Sequence, residues 1–365
     1  MHVPLFKQTV PIKDRRLVGG PATQALLPLK YKWLYETYKK ALNNFWLPTE
    51  VGMGNDKLDY PTLNPNTKHQ YDWLFSMLTT MDMVVTEAID VSIMRHATAP
   101  EFRQWLALQG QQEAIHTDSY TVIAEEIGLD PDAVFNRYLQ EESLYNKIAM
   151  AAEYSNMLDA ISDLSQPGEM EKFIVAYTFF PLVLESSWFY LGLSAGTYPS
   201  RFERKMLGTA DMFSYIRKDE SLHYSVGLSV VGDILKENPQ INRAEVNSAI
   251  LDMVTKALLL EERFAQDTYR QLPGLGADAY MEQCRFLMKV NLRRLGLSHP
   301  DCEDATLALP WVSETVELKR EFNFFERKNS EYQVSADLFG SMDDDDDTPN
   351  EEPGWNNPLQ SLRGL

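Results

Sequence analysis

Between Phe173 and Ser200 lie 28 residues with a single charged side chain, Glu185, in a run otherwise rich in Phe, Leu, Val, Tyr and Ala. A segment this long and this apolar either crosses a bilayer or lies inside a protein core. Pro181 and a carboxylate at mid-segment, flanks without a basic bias, and the lack of a second segment of this kind all favour the core. The expectation is a fully buried central helix and no membrane span. Glu185 is then the informative residue, because a carboxylate in an apolar core costs several kcal/mol unless it is protonated, paired or bound to a metal.

The rest of the chain reads as helix. Apolar residues recur at helical spacing over about 68–97, 101–128, 141–165, 167–197, 200–236, 241–270 and 276–296, while strand-like alternation is scarce. Ala99-Pro100 breaks the first pair of stretches, Gly128 is placed as a C-terminal stop, and Asp130-Pro131 is placed as an N-cap followed by proline at the first helical position. Consecutive long helices with short connections describe one all-α bundle. The expected division is an extended N-terminal arm over 1–30, a helical domain over 31–333 and a flexible acidic tail over 334–365.

Charge and cysteine content narrow the class of function. With 53 acidic against 34 basic side chains the formal net charge is -19, and no Lys/Arg cluster is present that could neutralise phosphates. A nucleic-acid partner is therefore not expected. Two cysteines, Cys284 and Cys302, form no disulfide framework and are read as ordinary reduced thiols, which points to the cytoplasm. Much of the acidity sits at the end of the chain, where Asp343 to Asp347, Glu351 and Glu352 face only Arg363 across residues 341–365. A five-Asp run repels itself and cannot bury apolar area, so a disordered tail is expected. Trp355, Leu359, Leu362 and Leu365 follow it at spacings a short docking helix could use.

The chemistry is carried by a repeated pattern. Of six histidines, His116 and His223 each stand three residues after a glutamate, in Glu113-Ala114-Ile115-His116 and Glu220-Ser221-Leu222-His223. That spacing puts each pair on one helical face. Each pair is preceded by a helix bearing an acid among apolar neighbours, Asp82 at 31 residues before Glu113 and Glu185 at 35 residues before Glu220. Four carboxylates and two imidazoles delivered by four helices match the ligand pattern of ferritin-like di-iron and di-manganese proteins. Mixed carboxylate and imidazole ligands suit iron and manganese, and bridging carboxylates offset the charge of two ions held close together. Tyr120 lies four residues after His116 on the same face, where it is either a plain core tyrosine or, beside an oxygen-activating metal pair, oxidisable to a phenoxyl radical.

Five motifs in order carry a resemblance. Asn44-Phe45-Trp46-Leu47-Pro48, Glu113 to Tyr120, Leu184-Glu185-Ser186-Ser187-Trp188-Phe189-Tyr190, Arg217-Lys218-Asp219-Glu220-Ser221-Leu222-His223 and Asn323 to Gln333 resemble the radical-generating small subunit of class I ribonucleotide reductase, over about 30–333. The resemblance implies metal ligands at Asp82, Glu113, His116, Glu185, Glu220 and His223, and a radical at Tyr120. The metal pair would be two irons, with di-manganese or mixed manganese-iron as alternatives. It also implies a radical-transfer path in which Trp46 is linked through Asp219 to His116, and an apolar pocket around the radical from Phe189, Leu193 and Ile216. Tyr332 is the last tyrosine, and by resemblance it is the relay residue of the tail, with Trp355 as a docking anchor. The implied partners are a second copy of the chain and a large catalytic subunit, reached through the C-terminal tail. The rival reading of the same ligands is a ferritin-like oxidase or hydroxylase of a small organic substrate.

Overall fold

The computed structural model describes residues 10–314 apart from Gln271; the expected relay Tyr332, the acidic run and Trp355 lie outside the described residues. Among the described residues, nine helices organise the part that positions the site: α1 (Lys32–Leu42), α2 (Pro65–Glu87), α3 (Pro100–Ile127), α4 (Glu142–Ala160), α5 (Glu169–Phe179), α6 (Tyr190–Gly196), α7 (Leu207–Glu237), α8 (Arg243–Thr268) and α9 (Ala277–Arg294). Among the same residues no β-strand is present, only an isolated bridge between Val18 and Ala97. This is the expected all-α, ferritin-like bundle.

Local sequence explains where the helices begin and end. Asn64 caps α2 by accepting from the Asn66 and Thr67 amides at 2.9 and 3.1 Å, with Pro65 at the first helical position. Helix α3 starts on Pro100 and stops at Gly128, whose φ of 74° is the left-handed conformation that ends helices. The stretch expected as one helix over 200–236 is instead broken: Tyr198–Glu203 is a separate short helix, and Arg204 and Met206 adopt positive φ before α7 begins. The break is stabilised from outside the segment. The buried Asp56 carboxylate accepts from the Gly208 and Thr209 amides and from the Thr209 hydroxyl, supplying the cap that the local sequence lacks.

The long apolar segment behaves as a core helix, since residues 173–199 are all buried. It is not, however, a regular α-helix. Between α5 and α6, residues Phe180–Phe189 form a π-helical stretch, and a second one, Ala88–Ile93, continues α2. Pro181 has no amide to donate, and widening the turn accommodates it. Hydroxyls inside this core are satisfied along the chain: Thr178, Ser186 and Ser194 each donate to the carbonyl four residues earlier at 2.6 Å. Helix α7 lies against the π segment so closely that a Cβ on Gly227 would sit 2.5 Å from the Pro181 Cβ. Only glycine permits that approach.

A second buried polar group stitches α4 to α8 and α9. Lys147 forms a fully buried ion pair with Glu261, its ammonium stands 4.4 Å from the Trp188 ring centroid and 4.0 Å from that of Phe264, and Tyr280 donates to Glu261 at 2.8 Å. Removing one partner of such a pair strands the other charge, which typically costs about 3–5 kcal/mol. Lys147→Met should therefore lower stability by about that amount. Lys147→Met combined with Glu261→Leu should recover most of it, as chemical denaturation would show.

Candidate metal centre

Four elements deliver the site. Asp82 comes from α2, Glu113, His116 and Tyr120 from α3, Glu185 from the π segment, and Asp219, Glu220 and His223 from α7. All of these side chains are buried. The six expected ligands are brought together as two groups of donor atoms, Asp82 with Glu113 and His116, and Glu113 with Glu185, Glu220 and His223.

Distances to the two histidines set Glu113 and Glu220 apart from Asp82 and Glu185. The two imidazole centroids are 5.8 Å apart. Glu113 places Oε2 3.1 Å from His116 Nδ1 and Oε1 3.0 Å from His223 Nδ1. Glu220 does the same from the other side, with Oε1 3.1 Å from His116 Nδ1 and Oε2 3.5 Å from His223 Nδ1. Both imidazoles thus turn Nδ1 inward, and each Nε2 is engaged outside the cluster. His223 Nε2 pairs with Gln112 Oε1 at 3.0 Å, and His116 Nε2 faces Asp219 Oδ2 at 3.4 Å. An outer partner on the far nitrogen orients a ligating histidine and sets its tautomer. Glu185 is held through Oε1, which accepts from Gln109 Nε2 at 2.9 Å.

Cations fit this donor set. Both Asp82 oxygens, Glu113 Oε1, both Glu220 oxygens and His223 Nδ1 are buried without a partner in hydrogen-bonding geometry. Native interiors rarely leave such atoms orphaned, because each forfeits its hydration. In the protein alone the crowded acids and imidazoles share protons instead. Burial, and then the Glu113 charge, pushes the Asp82 carboxyl well above its usual range, and burial does the same to Glu185. Burial also works against the charge on Glu113, but His223 and His116 outweigh it and hold that carboxyl at about 2. His116 is held protonated against its own burial by bonds to Asp219, Glu113 and Glu220. Divalent ions would replace those protons with bound charge.

Tyr120 is fully buried beside this cluster. Its hydroxyl has no partner in ideal hydrogen-bonding geometry but interacts with the Asp82 carboxyl, and burial followed by that acid raises it well above its ordinary value, so the phenol is neutral. Phe189, Leu193 and Ile216 are buried as well. Sequence reasoning missed Phe213, whose ring centroid is 6.5 Å from that of Tyr120 and 5.7 Å from that of Phe75. Gly196 makes room for it, since a Cβ there would meet the Phe213 ring at 2.5 Å.

A polar link leads outward from the site. Trp46 Nε1 donates to Asp219 Oδ2 at 2.8 Å, the same oxygen that faces His116 Nε2. Trp46 is itself buried, but its ring stacks on the half-exposed Tyr215 at 5.2 Å between centroids and 25° between planes. Tyr215 was not singled out from the sequence, and neither were Gln109 and Gln112. The two glutamines stand four and one residues before Glu113 on α3, so an eye for polar residues beside a ligand on its own helix would have found them.

Residues 24–300 match the family model described as "Ribonucleotide reductase, small chain". The chain belongs to that family. The ribonucleoside-diphosphate reductase subunit beta of Chlamydia pneumoniae is 31% identical over 319 residues, covering 86% of this chain and 91% of the relative. Among solved structures, the ribonucleotide reductase R2 subunit from Clostridium botulinum superposes with a TM-score of 0.74 at 23% identity, over 86% of this chain and 99% of that one. The dimanganese(II)-NrdF of Streptococcus sanguinis superposes with a TM-score of 0.63 at 19% identity, over 80% of this chain and 98% of that one. As a member of the ribonucleotide reductase small-chain family, this chain is the small subunit of a class I enzyme and thus an oxidoreductase subunit with a di-metal site. The rival reading, a di-metal oxidase of a small organic substrate, is not favoured.

Proposed function

We propose that Asp82, Glu113, His116, Glu185, Glu220 and His223 would hold the metal pair, Glu113 and Glu220 being the acids that reach both histidines, and that Tyr120 stores the oxidising equivalent. The observation that carries this reading is the pair of donor groups meeting at Glu113 with a neutral, water-excluded phenol beside them. When bound, two iron or manganese ions supply the redox chemistry that reduces molecular oxygen. The chain's own residues do the rest. Tyr120 gives up one electron and its phenolic proton, and the apolar wall of Phe189, Leu193, Ile216 and Phe213 keeps water and reductants from the phenoxyl. Asp219 fixes the His116 ring and accepts the indole N–H of Trp46, so the oxidising equivalent leaves toward the surface along His116, Asp219 and Trp46.

The equivalent is passed to a large catalytic subunit that reduces ribonucleotides to deoxyribonucleotides. Residues 334–365 act as the tail that docks it, with Tyr332 as relay, and the working form is a homodimer. Iron is the favoured metal; manganese accepts the same oxygen and nitrogen ligands, and the Streptococcus sanguinis relative is a dimanganese(II) protein. A reducing, cytoplasmic setting fits two buried and unpaired cysteines.

Loading the metal-free protein with ferrous ion under anaerobic conditions and then admitting oxygen should yield about two irons per chain and a tyrosyl electron-spin signal. Uptake of many irons into a large shell would replace this reading with storage. Ligand variants should behave unequally. Asp82→Ala and Glu185→Ala should each weaken one position, while Glu113→Ala should cost both, as metal counting and the loss of metal-induced thermal stabilisation would show.

A further inference from the structure

The centre has two tryptophan branches, and only one of them was expected. On the His116 side the link runs through Asp219 to Trp46, ending at the surface-reaching Tyr215. On the Glu185 side a second link of the same length exists: Gln109 Nε2 donates to Glu185 Oε1 at 2.9 Å, and Trp105 Nε1 donates to Gln109 Oε1 at 3.0 Å. The orientation of the Gln109 amide is determined, because an indole can only donate and Glu185 is the acceptor on the other side. Trp105 also stands edge-on to the ligand His223, with centroids 6.3 Å apart and planes at 82°. Two indoles are thus wired to the two halves of one centre, one through a carboxylate and one through a carboxamide.

The difference decides which indole can be oxidised. An indole that loses one electron becomes a radical cation with an acidic N–H. A carboxylate on that N–H stabilises the cation by its charge and can take the proton, whereas a carboxamide carries no charge and its oxygen is a poor base. Trp105 is fully buried, and its one ring contact among the described residues is with His223 rather than with an exposed aromatic, so an oxidising equivalent arriving there would be lost to side reactions.

We propose that Gln109 is an insulating residue: by joining Trp105 to Glu185 through a neutral amide, it keeps that indole from being oxidised and so favours Tyr120 and the Trp46 branch as the outlets. The inference rests on the di-metal, tyrosyl-radical reading above. The oxidant is the oxygen reduced at the metal pair, and the electron that would be misdirected is one from Trp105 in place of one from Tyr120.

The test is Gln109→Glu, which makes the second branch chemically like the first. After ferrous loading and a single exposure to oxygen, peptide mass spectrometry should find oxygen added at Trp105 in the variant and not in the parent chain. The tyrosyl signal should fall severalfold and return in Gln109→Glu/Trp105→Phe. Gln109→Met, which loses the hydrogen bonds but adds no charge, should leave Trp105 unmodified. In the parent background, Trp105→Phe should leave the rate and yield of Tyr120 oxidation unchanged. A Gln109→Glu chain that holds two metals yet keeps Trp105 intact would overturn the proposal. Slower Tyr120 oxidation in Trp105→Phe would also overturn it, and that result decides the matter alone if Gln109→Glu fails to bind both metals. Absence of a tyrosyl signal in the parent chain would count against the underlying functional reading, which separates the two failures.

Discussion

Tyr120→Phe should retain both metals and the fold but lose the tyrosyl electron-spin signal, with reductase activity in the presence of the catalytic subunit down by at least ~10³-fold. The substitution removes one oxygen atom from a fully buried ring, and the contact it loses is that of the hydroxyl with the Asp82 carboxyl. Stability should change by no more than about 1 kcal/mol, the net worth of one side-chain hydrogen bond. What disappears is a buried phenol that feels the Asp82 charge and the acids of the cluster together. The measurements are electron-spin resonance after oxygen exposure, metal counting and turnover. A tyrosyl signal and full activity surviving in Tyr120→Phe would move the radical elsewhere and refute the assignment.

Asp219→Asn is expected to separate radical formation from radical use. The Asp219 carboxylate is buried, accepts from Trp46 at 2.8 Å and faces His116 at 3.4 Å through one and the same oxygen. An asparagine can keep the shape and one hydrogen bond, but it brings no charge to an oxidised indole and cannot accept its proton. Metal binding and the Tyr120 signal should survive in substantial part, while turnover with the catalytic subunit falls by roughly 10²–10⁴-fold, the size usual for removing a positioned proton acceptor. Trp46→Phe should give the same split between an intact signal and lost turnover. If either variant turned over normally, the Trp46 branch would not be the route out. Its outer end at the half-exposed Tyr215 would then be no more than surface packing.

The two outlets are distinguished by chemistry that one-dimensional spacing does not contain. Asp219 and Trp46 are 173 residues apart, and only the docking of the Trp46 loop beside α7 makes them partners. The resemblance to a family supplied that link in advance, and the residues themselves did not. Gln109 is the opposite case: it lies on the same helix as two ligands, yet it is as unremarked as any helical glutamine until Glu185 arrives from the π segment to accept its hydrogen bond.

Helix content, the buried nature of residues 173–199 and the identity of the ligand candidates were legible in the chain itself. Helical periodicity, proline and glycine punctuation, and the i, i+3 pairing of Glu with His are local properties, and local properties survive translation into structure. Tertiary structure decided the rest, because it depends on which atoms face each other across helices. It broke the stretch over 200–236 by placing Asp56 as a distant cap, and it widened the core helix at Pro181 to aim Glu185. It divided four equivalent-looking carboxylates into two that span both imidazoles and two that serve one group each. It also closed Phe213 over Tyr120 through the space left at Gly196. Spacing along a helix names the side chains on a face; only the packing of four faces around one point determines what each of them does there.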